Sequence, residues 1–182
     1  MPLPEEQVPQ LVPLAVIDAA QIVTLLDAAF GADRHQRTAY KVRVGTEWLP
    51  EYSVAVTDGS HLLGTAQGWP VAVIDEAGER SPLIMVGPVA VIPEMQGTGI
   101  GKQMTHAICD ALDLHGESGV MIGDPEYYER FFGFRSGPAS GWSLPGPVEA
   151  RRVLLRPAPG TRWPARGQLG PDPLHNKGGL PN

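Results

Sequence analysis

A run of glycines at residues 96–102 carries the clearest chemistry in the sequence. It reads Gln-Gly-Thr-Gly-Ile-Gly-Lys and separates an apolar stretch from a segment with helical periodicity. The first amides of a helix have no carbonyl partner, and the helix dipole adds partial positive charge at that end. Glycines let a backbone approach a ligand closely and adopt positive φ. The junction therefore predicts an anion site of backbone N–H groups, suited to a pyrophosphate, with Lys102 adding a cation at its rim.

Two other glycine-rich motifs do not fit this junction. A dinucleotide-binding fold needs the spacing GxGxxG after a first parallel strand, whereas the glycines here follow GxGxG. A P-loop needs Gly-Lys followed by Ser or Thr, and Lys102 is followed by Gln103. A tight turn that uses glycine only for its conformation stays open as the alternative to an anion site.

The segment GPVAVIPEMQGTGIG, residues 87–101, resembles the acetyl-CoA-binding motif of the GCN5-related N-acetyltransferase (GNAT) superfamily. That motif is Gln or Arg, two residues, Gly, one residue, and Gly or Ala. Gln96, Gly99 and Gly101 match it. The resemblance also implies that the preceding strand splays from its neighbour, so that Val89 and Val91 offer backbone groups to the pantetheine arm. The residues implied to hold the pyrophosphate are Gln96, Gly97, Thr98, Gly99, Ile100, Gly101 and Lys102.

A second segment, GDPEYYERFFGF at residues 123–134, is similar to the closing helix of the same superfamily, where a Tyr precedes a Gly-Phe pair. The resemblance implies that this Tyr is the catalytic acid, since a phenol with a pKa of about 10 can hand a proton to the leaving thiolate. Counted from the Asp124 cap, Tyr128 matches the family position, whereas the usual spacing before the Gly falls on Glu129. Tyr127 stays open as the alternative, because adjacent helical residues point about 100° apart.

The resemblance implies an acetyl-CoA-dependent N-acetyltransferase, which moves an acetyl group to a primary amine by direct attack. Acetyl-CoA would be the cosubstrate, and the acceptor would be a small-molecule or peptide amine. No general base is evident, because the apolar stretch at residues 83–92 contains no carboxylate. Two other functions stay open: an acyl-CoA-binding sensor without catalysis, and an acyltransferase that uses another acyl-CoA or a hydroxyl acceptor.

The segment RHQRTAYKVR at residues 34–43 is basic within an acidic protein. One interpretation is a solvated helix face, as charged runs usually are. The other is a helix on the substrate side, since this region borders the acceptor site in the superfamily. Trp48, Tyr52 and Trp69 either line that cleft or belong to the core.

Composition places these motifs in one folded domain. The 182 residues are 42 % hydrophobic and carry a net charge of −6, which fits a globular chain and argues against a nucleic-acid partner. The five histidines lack metal-binding spacing, and the single cysteine, Cys109, permits no internal disulfide. With neither a signal-peptide pattern nor a membrane-spanning stretch, we expect a cytoplasmic protein, and an exposed sheet edge could pair two copies in a homodimer.

Hydrophobic periodicity and turn residues predict the elements that must position the motifs. Before the glycine loop these are an edge strand at 11–16, a helix at 18–30, a second helix at 33–44, a hairpin at 53–56 and from 61, and strands at 69–74 and 83–92. After the loop they are a helix from 100 to 116, a strand at 119–122, a helix from 124 to 133 and a strand at 151–155.

This order predicts a mixed α/β (α+β) domain: a central, mixed, mostly antiparallel sheet flanked by helices. The GNAT resemblance implies the same fold, with a V-shaped opening after the fourth strand. It covers residues 10–156 and is strongest over 83–134. We therefore predict an N-acetyltransferase domain at 10–156, followed at 157–182 by a Pro/Gly-rich C-terminal tail whose composition is typical of loose order.

Overall fold

Residues 8–175, the part of the chain that the computed structural model describes, contain four α-helices and eight strands. The helices are α1 Ala19–Phe30, α2 Thr38–Lys41, α3 Ile100–His115 and α4 Pro125–Phe132. The strands are β1 Gln10–Pro13, β2 Val54–Thr57, β3 Leu62–Ile74, β4 Arg80–Val91, β5 Gly119–Ile122, β6 Trp142–Ser143, β7 Val153–Arg156 and β8 Gly167–Pro171.

These strands form one mixed sheet with the order β1-β2-β3-β4-β5-β7. Neighbours along this path are antiparallel except β4 and β5. β2 covers only the first half of one edge of β3, and β8 pairs with residues 71–74 in the second half. β6 pairs in turn with β8. The predicted α/β fold with a mixed, mostly antiparallel sheet is therefore confirmed.

The parallel pairing between β4 and β5 is very short. Its register joins Ile84 to Gly119 and Met85 to Val120, and then the two strands part. β4 continues along β3 as far as Val91 without a second neighbour among residues 8–175. The opening expected after the fourth strand is therefore present.

Helix layers cover both faces of the sheet. Successive side chains of a strand point to opposite faces, so neighbouring residues of β2 contact different helix layers. Val56 packs with Met104 of α3 in one buried cluster, whereas Ala55 packs with Leu26 of α1 in another. The tight contact of α3 with the sheet fixes the direction in which that helix leaves the glycine loop.

Two predicted elements differ from the structure near the N-terminal half. The helix predicted at 33–44 is reduced to a 3-10 turn at Arg34–Gln36 and the four-residue α2. Arg34 Nε donates to Asp27 Oδ1 at 2.9 Å and Arg37 Nη2 to the carbonyl of Phe30 at 3.1 Å, so this segment is tied to the end of α1. The edge strand predicted at 11–16 ends at Pro13, after which residues 14–16 form a 3-10 turn.

The two pieces predicted after residue 61 and at 69–74 are one continuous strand, β3. The glycines of β3 lie within the strand without interrupting it. At Gly64, the missing side chain leaves space for a neighbouring helix. A Cβ on Gly64 would lie 2.9 Å from Met104 Cε, so glycine lets α3 approach the sheet at this point.

The structure differs from the expected loose order of the tail at residues 167–171, which form β8. Directly after β8, the buried Asp172 accepts hydrogen bonds from Arg80 at the start of β4, with 2.9 Å between Nε and Oδ1 and a second contact between Nη2 and Oδ2. Residues 176–182 lie outside the described residues, and the domain boundary at 156 stays a prediction.

Replacing Arg80 with Met should lower the free energy of unfolding by about 2–3 kcal/mol, because it leaves a buried carboxylate without its cation. Urea unfolding measures this change. Arg166→Met is the matched control, since Arg166 lies 4.0 Å from an exposed Glu76 and should cause no measurable loss. Equal losses in the two variants would contradict the role of the Arg80–Asp172 pair.

Candidate functional site

The glycine loop turns the chain from the end of β4 into α3. Gly97 and Gly99 have φ values of 79° and 92°, in the left-handed region that glycine adopts without steric cost. A Cβ on either residue would meet no atom within 4 Å. Both α-carbons therefore border open space, in which a ligand can come close to the backbone.

The first turn of α3 offers amides without acceptors. The first helical bond at this end joins the amide of Gln103 to the carbonyl of Gly99 at 2.9 Å. The amides of Ile100, Gly101 and Lys102 precede this bond and donate to no carbonyl within residues 8–175. The Ile100 side chain is buried in the core, so only its backbone faces the loop. Free amides at the positive end of a helix dipole are typical of anion sites.

Side chains of the loop hold the loop itself in place. Thr98 Oγ1 donates to the carbonyl of Met95 at 2.5 Å, and Gln96 Nε2 donates to the carbonyl of Val91 at 3.4 Å. Lys102 Nζ lies 3.8 Å from the ring centroid of Phe131 on α4. The cation predicted at the rim of the loop therefore lies on its α4 side.

The last residues of β4 turn backbone groups toward the opening. The amide of Ile92 donates to the carbonyl of Leu63 on β3 at 2.9 Å. Antiparallel pairs alternate between residues that bond their neighbour and residues that do not. By this alternation the amides of Val89 and Val91 point away from β3, to the edge that β5 has left.

A cleft of about 650 Å³ fills the opening between β4 and β5. Residues 85–89 form one wall, residues 121–124 with Tyr128 form the other, and the segments 36–43 and 147–152 close its sides. Val89 and Tyr128 therefore share one cleft. Val91 and the glycine loop lie further along β4, where the strand leads out of the cleft.

Tyr128 lines the cleft and Tyr127 does not. The ring of Tyr128 lies against Gly123 at the end of β5, where a Cβ would be 2.7 Å from Cε2 and 2.8 Å from Cδ2 of the ring. The ring of Tyr127 turns to Phe131 and Phe132, with centroids 5.4 and 5.6 Å away. Of the two tyrosines that the sequence leaves open, Tyr128 is therefore the one whose side chain lies in the cleft.

The start of α4 fixes this orientation. Asp124 caps the helix, with its Oδ1 accepting from the amide of Glu126 at 3.3 Å, and Pro125 follows at the first helical position. Burial raises the pKa of Tyr128, and the neighbouring Tyr127 and Asp124 raise it further. The Tyr128 phenol therefore keeps its proton at neutral pH and can donate it.

Arg43 is a cleft residue whose position the sequence did not reveal. Only 4 % of its surface is exposed, and its guanidinium carbon lies 4.0 Å from the ring centroid of Tyr40 and 4.1 Å from that of Trp69. Its Nη1 donates to the carbonyl of Gly87 on β4 at 2.7 Å. Burial lowers the pKa of Arg43 to about 10, although the Tyr40 phenol opposes the shift. Arg43 thus stays charged at neutral pH inside the protein, not on a solvated helix face.

The cleft also contains two carboxylates, those of Asp124 and Glu149. Hydrogen bonds from Glu126 hold the pKa of Asp124 below its usual value, so this group is ionised at neutral pH. The β4 wall contributes no acid, as the sequence indicates. The sequence shows Asp124 as a helix cap, but its place in the cleft depends on the separation of β4 from β5.

Other reactive side chains do not form a site of their own. Within residues 8–175, no group of three or more His, Cys, Asp or Glu residues could hold a metal ion. Cys109 is buried on α3, and burial raises the pKa of its thiol to about 11, so it is not a nucleophile at neutral pH. None of the described helices is long and apolar enough to cross a bilayer.

Comparison with known proteins gives matches to N-acetyltransferases, both in sequence and in structure. The model of the acetyltransferase (GNAT) family matches residues 19–134. The uncharacterized N-acetyltransferase YhbS of Escherichia coli strain K12 is 30 % identical over 116 residues, which are 63 % of this chain and 67 % of that protein.

Solved structures share the fold. The GNAT family N-acetyltransferase YhbS from Escherichia coli, in complex with CoA, matches with a TM-score of 0.68 and 23 % identity over 94 % of both chains. A GNAT family acetyltransferase from Brucella melitensis, in complex with acetyl-CoA, matches with a TM-score of 0.62 and 22 % identity, covering 92 % of this chain and 97 % of that one.

Gly99→Ala should lower the free energy of unfolding by about 1–2 kcal/mol, because a residue with a Cβ is strained at this positive φ. Gly101→Ala is the control, since Gly101 lies outside that φ region and the added methyl would be 3.7 Å from Val91 Cγ2, an ordinary contact. Alanine is the better helix former, so this variant should keep or gain stability. Urea unfolding compares the two, and equal losses would rule out the left-handed cap.

Proposed function

Because the chain belongs to the acetyltransferase (GNAT) family, we propose that it transfers the acetyl group of acetyl-CoA to a primary amine by direct attack. One observation carries this proposal: backbone amides without a partner within residues 8–175 run from the cleft along Val89 and Val91 to the first turn of α3. Acetyl-CoA has its groups in the matching order, with a thioester, an arm containing two amides, and a pyrophosphate. Two structural relatives hold CoA or acetyl-CoA, which supports this choice of cosubstrate.

The pyrophosphate binds at the glycine loop. The amides of Ile100, Gly101 and Lys102 donate to its oxygens, and Gly97 and Gly99 leave the space for it. Val89 and Val91 bind the pantetheine arm through their backbones, in the way that a strand binds a neighbour. The proposed cosubstrate-binding residues are thus Val89, Val91, Gln96, Gly97, Thr98, Gly99, Ile100, Gly101 and Lys102.

The reacting atoms meet in the cleft. An amide of the open edge of β4 donates to the thioester oxygen and stabilises the negative charge that develops there. The nitrogen of the neutral amine bonds to the carbonyl carbon, the carbon–sulfur bond breaks, and the nitrogen releases a proton to water. Holding both reactants in one cleft supplies much of the rate.

Tyr128 acts as the catalytic acid in this scheme. Its ring lines the cleft, and burial keeps its phenol protonated at neutral pH. The leaving thiolate takes the phenol proton, because the two groups have pKa values of similar size, about 10 and about 8.5 in water. The phenol regains its proton from solvent before the next turnover.

Gly99→Asp should weaken acetyl-CoA binding at least 10-fold more than Gly99→Asn. Both residues tolerate a positive φ, but only Asp puts a negative charge beside the pyrophosphate. Calorimetry with acetyl-CoA measures the difference, and the Asn variant controls for size and backbone strain. Equal affinities in the two variants would contradict the anion site. If the wild type does not bind acetyl-CoA, the assignment of acetyl-CoA as the cosubstrate is wrong.

Tyr128→Phe should lower kcat about 10- to 100-fold while the KM for acetyl-CoA changes less than about 2-fold. Tyr127→Phe is the matched control and should keep kcat within about 2-fold of the wild type. Because the pKa of Tyr128 is raised, its acid form persists to higher pH than that of a free phenol. At every pH under about 10, ionisation of Tyr128 should therefore cause no loss of activity.

A thiol-release assay measures these rates with little background from the protein, because Cys109 is buried and protonated. A larger loss from Tyr127→Phe than from Tyr128→Phe would overturn the assignment of the acid. Binding of acetyl-CoA without thiol release from any amine would favour the sensor function instead.

A further inference from the structure

A second pocket of about 680 Å³ lies on the α1 side of β3. Tyr40 and Arg43 line both this pocket and the cleft, so they form the wall between the two spaces. Arg43 is bonded to Gly87, where the pairing of β3 with β4 is irregular and the opening begins. The pocket therefore adjoins the cleft beside the end of the β4–β5 pairing.

Polar side chains along β3 lack partners on this face. Thr65, Gln67 and Trp69 alternate along the strand, so they point the same way. Each has a buried polar atom without a hydrogen-bond partner within residues 8–175, namely Thr65 Oγ1, Gln67 Oε1 and Trp69 Nε1. The Tyr40 hydroxyl also lacks a partner with hydrogen-bond geometry among the described residues, although it lies close enough to Arg43 to oppose the lowering of the guanidinium pKa. Buried polar atoms are nearly always paired. Of these side chains, Tyr40, Gln67 and Trp69 line the pocket, so they indicate a ligand that supplies partners there.

The charge of the pocket favours an anion. Its lining contains Arg34, His35, Lys41 and Arg43 but no Asp or Glu. Arg34 pairs with Asp27, whereas Arg43 has no carboxylate within 4.0 Å among the described residues. A buried cation without a counter-ion is unfavourable, and a bound carboxylate would relieve it. A polyamine or a Lys-rich peptide would add positive charge and does not fit.

Most of the remaining lining is apolar. Besides Gly45 and Thr46, it consists of Ala15, Ile17, Ala19, Ile22, Val23, Leu26 and Val44, with the ring of Trp48. The pocket thus offers one charged, hydrogen-bonding end at the wall and a hydrophobic body beside α1. Pockets with a few placed polar groups in an apolar lining are typical of small-molecule sites.

Resting on the proposed function, we infer that this pocket holds the acceptor, and that the acceptor is an α-amino acid or a close analogue with an apolar side chain. Its carboxylate pairs with Arg43 and accepts hydrogen bonds from Trp69 Nε1 and the Tyr40 hydroxyl. Its side chain lies against Trp48 and α1. Because Arg43 lines both spaces, a carboxylate held there leaves an adjacent amine at the border of the cleft, where the thioester lies.

Matched acceptors test this inference by thiol release with the full-length protein. The pairs are phenylalanine with phenylalaninamide, leucine with leucinamide, and tryptophan with tryptophanamide, with spermidine as a cationic comparison. We expect kcat/KM for at least one amino acid to exceed that of its amide at least 10-fold. The amide has the more easily deprotonated amine, so such a preference cannot come from amine reactivity.

The outcomes separate this inference from the proposed function. Failure of acetyl-CoA to bind in calorimetry would overturn the function. Acetyl-CoA binding with equal or better turnover of the amides or of spermidine would overturn the inference alone. If no acceptor is turned over, calorimetry of the amino acids with the CoA-loaded protein decides, and a lack of binding overturns the inference.

Conservative variants test the named groups. Trp69→Phe keeps the ring under Arg43 but removes the N–H, and Tyr40→Phe removes only the hydroxyl. Each should raise the KM of the amino acid about 3- to 10-fold and leave the KM of its amide unchanged. Arg43→Met should bring the ratio between acid and amide close to 1.

Thr65→Val is the control, because Thr65 lies on the same strand face but does not line the pocket, and its acceptor KM should not change. Acetyl-CoA affinity within about 2-fold of the wild type shows that each variant is folded. If Arg43→Met does not fold, Trp69→Phe and Tyr40→Phe still decide. An unchanged preference for the acid in the folded variants overturns the assignment.

Discussion

The site depends on the early end of the pairing between β4 and β5. Two residue pairs join the strands, and beyond them β4 keeps β3 on one side and has no neighbour among residues 8–175 on the other. Backbone amides at such an edge are strong donors that need partners. The edge of β4 is therefore open to a ligand that brings its own amides.

Each of the two diverging strands ends in a helix, and this arrangement serves both ends of the proposed cosubstrate. β4 leads through the glycine loop into α3, whose first amides lack acceptors in the described part of the chain. β5 leads through Asp124 into α4, which carries Tyr128. The proposed anion site and the phenol therefore belong to different elements, and the same opening fixes the positions of both. The contact of Lys102 with Phe131 links the two helices across it.

Local signals predicted the parts of the site that depend on a few consecutive residues. The positive φ of Gly99 and the cap at Asp124 follow from residue type and position in a turn. Counting from that cap also selects Tyr128, since the start of a helix sets the direction of every side chain after it.

Long-range contacts decided the features that the sequence did not reveal. Arg43 is buried because Tyr40 and Trp69 enclose it, and Trp69 lies on a strand far from it in sequence. The break between the 3-10 turn and α2 arises from bonds of Arg34 and Arg37 to the end of α1. The composition also gave no indication of β8, because segments rich in glycine and proline usually form loops. This segment is a strand because it pairs with the edge of β3.

The pairing of β8 with β3 also has a kinetic consequence. It joins Val71 to Pro171, residues that lie 100 positions apart, so chain entropy opposes this contact before β8 is in place. Until then the second half of β3 is an uncovered edge that a strand of another chain can occupy. Partly folded molecules are thus open to intermolecular pairing that the native chain prevents with its own last strand.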